Sequence, residues 1–114
     1  MSVTIKTKET DGVAIIELSG RLTLGEATGK VREAVRGVVT KGHKKVVLNL
    51  KEVSYIDSAG LGEVIGAYTS VKNQGGDMKL VGASGRALDL LQVTRLLTLF
   101  EFFDDEASAI RSFQ

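Results

Sequence analysis

Hydrophobic and polar positions alternate, pair by pair, at the start of the chain. Val3 and Ile5 fall on one side, Thr4 and Lys6 on the other, so residues 3–8 predict a β-strand. Thr10-Asp11-Gly12 is a turn signal, and Val13-Ala14-Ile15-Ile16-Glu17-Leu18 predicts a second strand, giving a hairpin with one half-exposed edge. Gly20-Arg21-Leu22 breaks this pattern. Thr23-Leu24-Gly25-Glu26 then matches a capping box, and Leu24, Ala27, Val31, Ala34, Val35 and Val38 recur at helical spacing up to a stop at Gly42. Val46-Val47-Leu48-Asn49-Leu50 is nearly continuously apolar, as in a parallel strand covered on both faces.

A second helix is predicted from Ser58 to about Asn73, closed by Gln74-Gly75-Gly76-Asp77. Met78–Val81 predicts a strand, residues from about Gly85 to Val93 a short helix, and Leu99–Phe103 a last strand. Asp104 is then placed to cap a final helix through Ala107, Ile110 and Phe113. The order β-β-α-β-α-β-α-β-α predicts an α/β fold. Its sheet is mainly parallel, of about five strands, with an N-terminal hairpin, right-handed crossovers and about four helices.

Composition narrows the function classes. The 114 residues fit one domain spanning 1–114. Fifteen basic residues against fourteen acidic ones leave a net charge of +1, so charge alone points to no nucleic-acid partner. The absence of cysteine excludes disulfides and thiolate zinc sites. Neither a signal-peptide run nor a membrane-length apolar run occurs, which predicts a cytoplasmic protein without membrane contact. The lone histidine, His43, cannot build a metal cluster or a Ser-His-Asp arrangement and reads as part of a solvated turn. Gly60-Leu61-Gly62 lacks the lysine of a phosphate loop and the full dinucleotide fingerprint. With no nucleophile–base pair in view, neither an enzyme nor a cofactor is predicted.

The chemistry concentrates at Asp57-Ser58-Ala59-Gly60-Leu61-Gly62, a hydroxyl beside a carboxylate between an apolar strand and a glycine-rich helix. A serine at a helix start meets backbone N–H groups without intrahelical partners, and a phosphate there would face the positive end of the helix dipole. A plain helix cap has the same spacing. Asp57 either orients the hydroxyl, contacts a partner or only favours the dipole. At 100° per residue, Leu61, Val64, Tyr68 and Val71 share the sheet-facing side of the helix. Ser58, Gly62, Gly66 and Thr69 share the opposite side, with Ile65 on the border. Interior glycines cost a helix about 1 kcal/mol each. Gly62 and Gly66 therefore predict a low strip that a partner's backbone can approach, or else relief of crowding by a neighbouring loop.

These residues resemble the STAS domains, and among them the stand-alone bacterial anti-sigma factor antagonists. The resemblance rests on Leu18-Ser19-Gly20-Arg21-Leu22, on Val46–Leu50 leading through Val53 and Ile56 into Asp57–Gly62, on Met78–Gly82, and on Leu99–Phe103 with Asp105-Glu106-Ala107. It implies a binding protein controlled by phosphorylation. The unphosphorylated form would bind an anti-sigma factor that is also a serine kinase and so release the sigma factor. Phosphorylation of Ser58 would break that complex, and a metal-dependent serine phosphatase would restore it. Partner contacts are expected at Asp57, Ser58, Ala59, Gly60, Leu61, Gly62, Gly66 and Thr69, with Arg21 and Thr23 at the preceding strand end. Many members carry Asp where this chain has Thr23, and Ser or Thr where it has Ala59, so Ser58 is the one hydroxyl of its motif. The alternative within the resemblance is a STAS subunit of an ABC transporter or of a stressosome-like complex.

Overall fold

The hairpin closes on two residues with left-handed backbone, Asp11 at φ 53° and Gly12 at φ 79°, as a two-residue turn between right-twisted strands requires. In the computed structural model, which describes residues 3–23, 29–82 and 100–114, β1 (Val3–Thr10) and β2 (Val13–Leu22) pair antiparallel from Thr10↔Val13 to Val3↔Gly20. Three parallel strands follow, β3 (Lys45–Ile56), β4 (Asp77–Val81) and β5 (Phe102–Phe103), in spatial order β1-β2-β3-β4-β5. The described helices are α1 (Lys30–Thr40), α2 (Ser58–Asn73) and α3 (Glu106–Ser112).

Strand order that advances in one direction, with crossovers of one hand, puts α1 and α2 on the same face. Val31, Val35 and Val38 of α1, and Leu61, Val64, Ala67 and Val71 of α2, pack there on Ala14, Ile16, Val46, Leu48 and Leu80. The alternate residues Val13, Ile15, Val47 and Val81 face the other way, onto Ala109 and Ile110 of α3. Both long helices end in Schellman motifs. Gly42 N–H donates to Val39 and His43 N–H to Val38, while Gly75 N–H donates to Lys72 and Gly76 N–H to Val71. Gly42 and Gly75, at φ 96° and 82°, supply the left-handed residue each motif needs.

Several elements depart from the sequence reading. Rather than stopping at Leu18, β2 continues through Gly20-Arg21-Leu22, with register irregularities between Glu17 and Ser19 and between Gly20 and Arg21. The partner strand β3 extends past Leu50 to Ile56 and pairs there with β2 alone, since β4 ends opposite Asn49. That outer half has exposed Lys51, Glu52 and Ser54, so apolar continuity could not reveal it. Helix α1 begins at Lys30 with Gly29 as N-cap, not at the Thr23 capping box. Residues 24–28 of that box and its stripe lie outside the described residues, as do the predicted Gly85–Val93 helix and Leu99. The final helix is capped by Asp105, not Asp104: the Asp105 carboxylate accepts from Ser108 N–H at 2.7 Å.

At the start of α3, the backbone and hydroxyl hydrogen bonds of Ser108 hold the Asp105 carboxyl below its ordinary value. For Glu106, burial acts to raise the carboxyl, but hydrogen bonding with Glu17, Asn49 and Lys8 outweighs it and the net direction is down. Those contacts are Asn49 Nδ2 to Glu106 at 2.7 Å and Lys8 Nζ to Glu106 at 3.0 Å. The far end of α3 is held by Lys79, whose buried ammonium donates to Ser112 Oγ at 2.7 Å and lies 4.3 Å from the Phe113 ring centre.

Candidate functional site

The parallel ladder carries β2 and β3 to a common end, with Arg21↔Tyr55 and Leu22↔Ile56 opposed, and α2 starts from that end. Asp57 is its N-cap, in extended backbone at φ −108°, and Asp57 Oδ1 accepts from Gly60 N–H at 2.9 Å. The cap is thus the aspartate, not the serine. Ser58 takes the first helical position, exposed, with no side-chain hydrogen bond among the described residues. Asp57 N–H donates to Leu22 carbonyl at 3.2 Å, which locks the head of α2 against the end of β2. That junction gathers Arg21, Thr23, Asp57, Ser58 and Ala59. Arg21 is exposed, its guanidinium 5.0 Å from the centre of the Tyr55 ring, and Thr23 is half-buried just beyond β2.

The three glycines of α2 have three different surroundings. A Cβ on Gly60 would stand 2.0 Å from the Leu22 carbonyl oxygen, so this glycine exists for the close approach of α2 to β2. Gly60 and Leu61, also expected to meet a partner, are buried in the isolated chain, beneath the exposed surface of the helix. Gly62 is exposed, and a Cβ there would meet nothing within 4 Å. Gly66 is not open, in contrast to the continuous strip expected from the helical wheel. The Arg32 guanidinium of α1 covers it, with Nη2 2.8 Å from where a Cβ would be. Thr69 is exposed on the same side, but its hydroxyl donates back to the Ile65 carbonyl at 3.0 Å. It lies about 16 Å along the helix from Ser58 and is not part of the junction.

Residues 4–109 match the STAS domain family. The chain belongs to that family. An anti-sigma-B factor antagonist of Listeria monocytogenes is 34% identical over 101 residues, covering 89% of this STAS chain and 87% of its own length. A crystal structure from Thermotoga maritima, of a protein named as a candidate anti-sigma factor antagonist, superposes with a TM-score of 0.85 at 26% identity, covering 95% of this chain and 92% of that one. The phosphorylated form of the Bacillus cell fate determinant SpoIIAA shares the fold, with a TM-score of 0.75 at 21% identity, covering 97% and 100%. The predicted architecture, a mostly parallel five-stranded sheet with an N-terminal hairpin, is therefore the STAS fold.

The sequence reading missed Glu63, which the STAS chain buries at the seam between its two long helices. Its Oε1 accepts from Gly29 N–H at 2.7 Å, at the positive end of α1, and its Oε2 lies 3.4 Å from Arg32 Nη2. The available signal was isolation: Glu63 is the one acid in a helix whose only other charge is Lys72. Among the described residues no cluster of three or more potential ligands could hold a metal ion, and no helix is long and apolar enough to cross a membrane.

Proposed function

We propose that this STAS protein is an anti-sigma factor antagonist. In the unphosphorylated form it binds an anti-sigma factor serine kinase and so frees the sigma factor, and phosphate on Ser58 abolishes that binding until a serine phosphatase removes it. The observation that carries the reading is the division of labour at the head of α2. Asp57 takes the capping role, which leaves the Ser58 hydroxyl exposed beside the open backbone of Gly62. A hydroxyl not needed for the cap can be modified without unmaking the helix. The name of the Listeria relative supports the antagonist role, and SpoIIAA, which shares the fold, is a protein with a phosphorylated form.

The switch follows from electrostatics. A phosphoserine carries about −1.5 to −2 charges at neutral pH. The start of α2 favours that charge through its dipole, so the fold tolerates it. Asp57 next to it repels it toward solvent, over the surface at Gly62. A partner seated there must bury the phosphate unpaired, at a cost of about 2–5 kcal/mol, or about 30-fold and upward in affinity. In this reading Asp57, Ser58, Ala59, Gly62 and Thr69 meet the partner, Arg21 and Thr23 border it, and Gly60, Leu61 and Gly66 set the backbone height.

Incubating the protein with its cognate anti-sigma factor and ATP, then mapping phosphate by mass spectrometry, tests the proposal. Modification is expected at Ser58 and absent in Ser58→Ala. Phosphate on another residue, or none, would refute it.

A further inference from the structure

The exposed side of α2 carries no carboxylate. Its one acid, Glu63, is buried toward α1. On the neighbouring side of α1, two of the solvent-facing residues that border α2 are arginines, alongside exposed Thr40. Arg32 lies over Gly66, and Arg36, one turn on, lines a cleft of about 470 Å³ with Ser70 and Asn73 of α2. Glu33, the acid in the first turn of α1, is exposed about 100° round the helix from Arg32 and about 60° from Arg36, to which it makes no ion pair. Arg36 makes no ion pair among the described residues. Arg32 has only the 3.4 Å contact to Glu63, long for a charge-assisted hydrogen bond, and its side chain is 44% exposed.

We infer that the α1–α2 seam docks an acidic segment of the partner protein, with Arg32 and Arg36 supplying its cationic contacts. The inference rests on the proposed function and adds the chemistry of the partner. A protein packed on Gly62 and Thr69 has to desolvate the adjoining guanidinium groups. Burying such groups unpaired is costly, so the complementary surface must bring carboxylates, which arginine binds through its planar fork. The same argument extends the switch. A phosphate on Ser58 stands at the head of this face and repels an acidic partner before contact, so it slows association as well as speeding release.

The test uses the full chain and its purified cognate anti-sigma factor, with association rates and affinities measured across a salt series. Arg36→Glu is the clean variant, because Arg36 supports no described contact in the fold. It is expected to fold as wild type, to bind about tenfold or more weakly, and to flatten or invert the salt dependence of association. Arg32→Lys, which keeps the charge but loses the fork, is expected to fall between the two. Wild-type affinity and salt dependence in Arg36→Glu, or tighter binding, would overturn the inference while leaving the proposed function standing. No binding by the wild-type chain would overturn both. A self-associated wild-type chain that Arg36→Glu converts to monomer would also overturn it, by making a second copy, through its Asp104–Glu106 acids, the occupant of the seam.

Discussion

Replacing Gly62 by alanine separates what the fold wants at this position from what the proposed partner wants. Gly62 sits inside α2, and a Cβ there meets nothing within 4 Å, so the methyl introduces no clash in the isolated protein. Alanine in an exposed helix interior is more favourable than glycine by about 1 kcal/mol. For a domain of this size that is an increase in Tm of about 3–6 °C, or about 0.3–1 M in the urea midpoint with unchanged slope. The same methyl would protrude into the docking surface. If the partner packs closely on the Gly62 backbone, overpacking costs about 1–3 kcal/mol, weakening the complex about 5- to 150-fold. Urea denaturation and calorimetric titration of one preparation against the cognate anti-sigma factor read both effects. Greater stability with undiminished affinity would refute a docking role for this glycine. No gain in stability would refute the description of its surroundings.

Gly60→Ala has the opposite sign. Its methyl would collide with the Leu22 carbonyl, which is backbone and cannot turn aside, so a loss of about 3 kcal/mol is expected on denaturation. Asp57→Ala removes the cap of α2 and should cost about 1 kcal/mol, with Asp57→Asn recovering most of it, read from the same curves. Glu63→Leu leaves Gly29 N–H without its acceptor and should cost about 1–3 kcal/mol, with slower-exchanging amides at the start of α1 becoming less protected. Asp105 and Glu106 both have folded pKa values below their ordinary 3.8 and 4.5. Unfolding therefore takes up protons at acid pH, and their contribution, complete above those ordinary values, is lost as pH falls through the lower folded ones. The stability gap between wild type and the Asp105→Asn/Glu106→Gln double variant should shrink steadily from about pH 6 to about pH 3. A constant gap would refute it.

The order of strands and helices was legible because each buried segment carries the period of its own element. The alternation of residues 3–8, the apolar run from Val46 to Leu50 and the stripe of Leu61, Val64 and Val71 each have one dominant environment. The outer part of β3 was not legible. Lys51, Glu52 and Ser54 are in a sheet because β2 pairs with them, not because a core selects them. Gly20 read as a break for a related reason: at φ 98° it marks an irregularity within a continuing strand, and composition does not distinguish that from a strand end. In the candidate site, the sequence placed Ser58 and Gly62 on the outward side of α2, as they are. It could not assign the cap between two adjacent capping residues, because that depends on which one keeps extended backbone. Nor could it foresee Arg32 over Gly66, since that contact joins residues from two helices whose mutual height only packing decides.

The head of α2 has a consistent design once its glycines are considered separately. Gly60 brings the helix so close to β2 that Leu22 carbonyl can accept from Asp57 N–H. That bond fixes Asp57 where its carboxylate caps Gly60 N–H, so glycine and cap each require the other. With both roles filled by neighbours, Ser58 is left with none in the fold, and Gly62, one turn along, is left with no atom to avoid. A residue pair that contributes nothing to stability, and in the case of Gly62 costs about 1 kcal/mol, sits directly on a rigidly held helix start. Stability alone would replace Gly62 with alanine and would be indifferent to Ser58. Their pairing on one exposed face is therefore the part of α2 that folding does not explain and that the proposed partner docking, switched at Ser58, would.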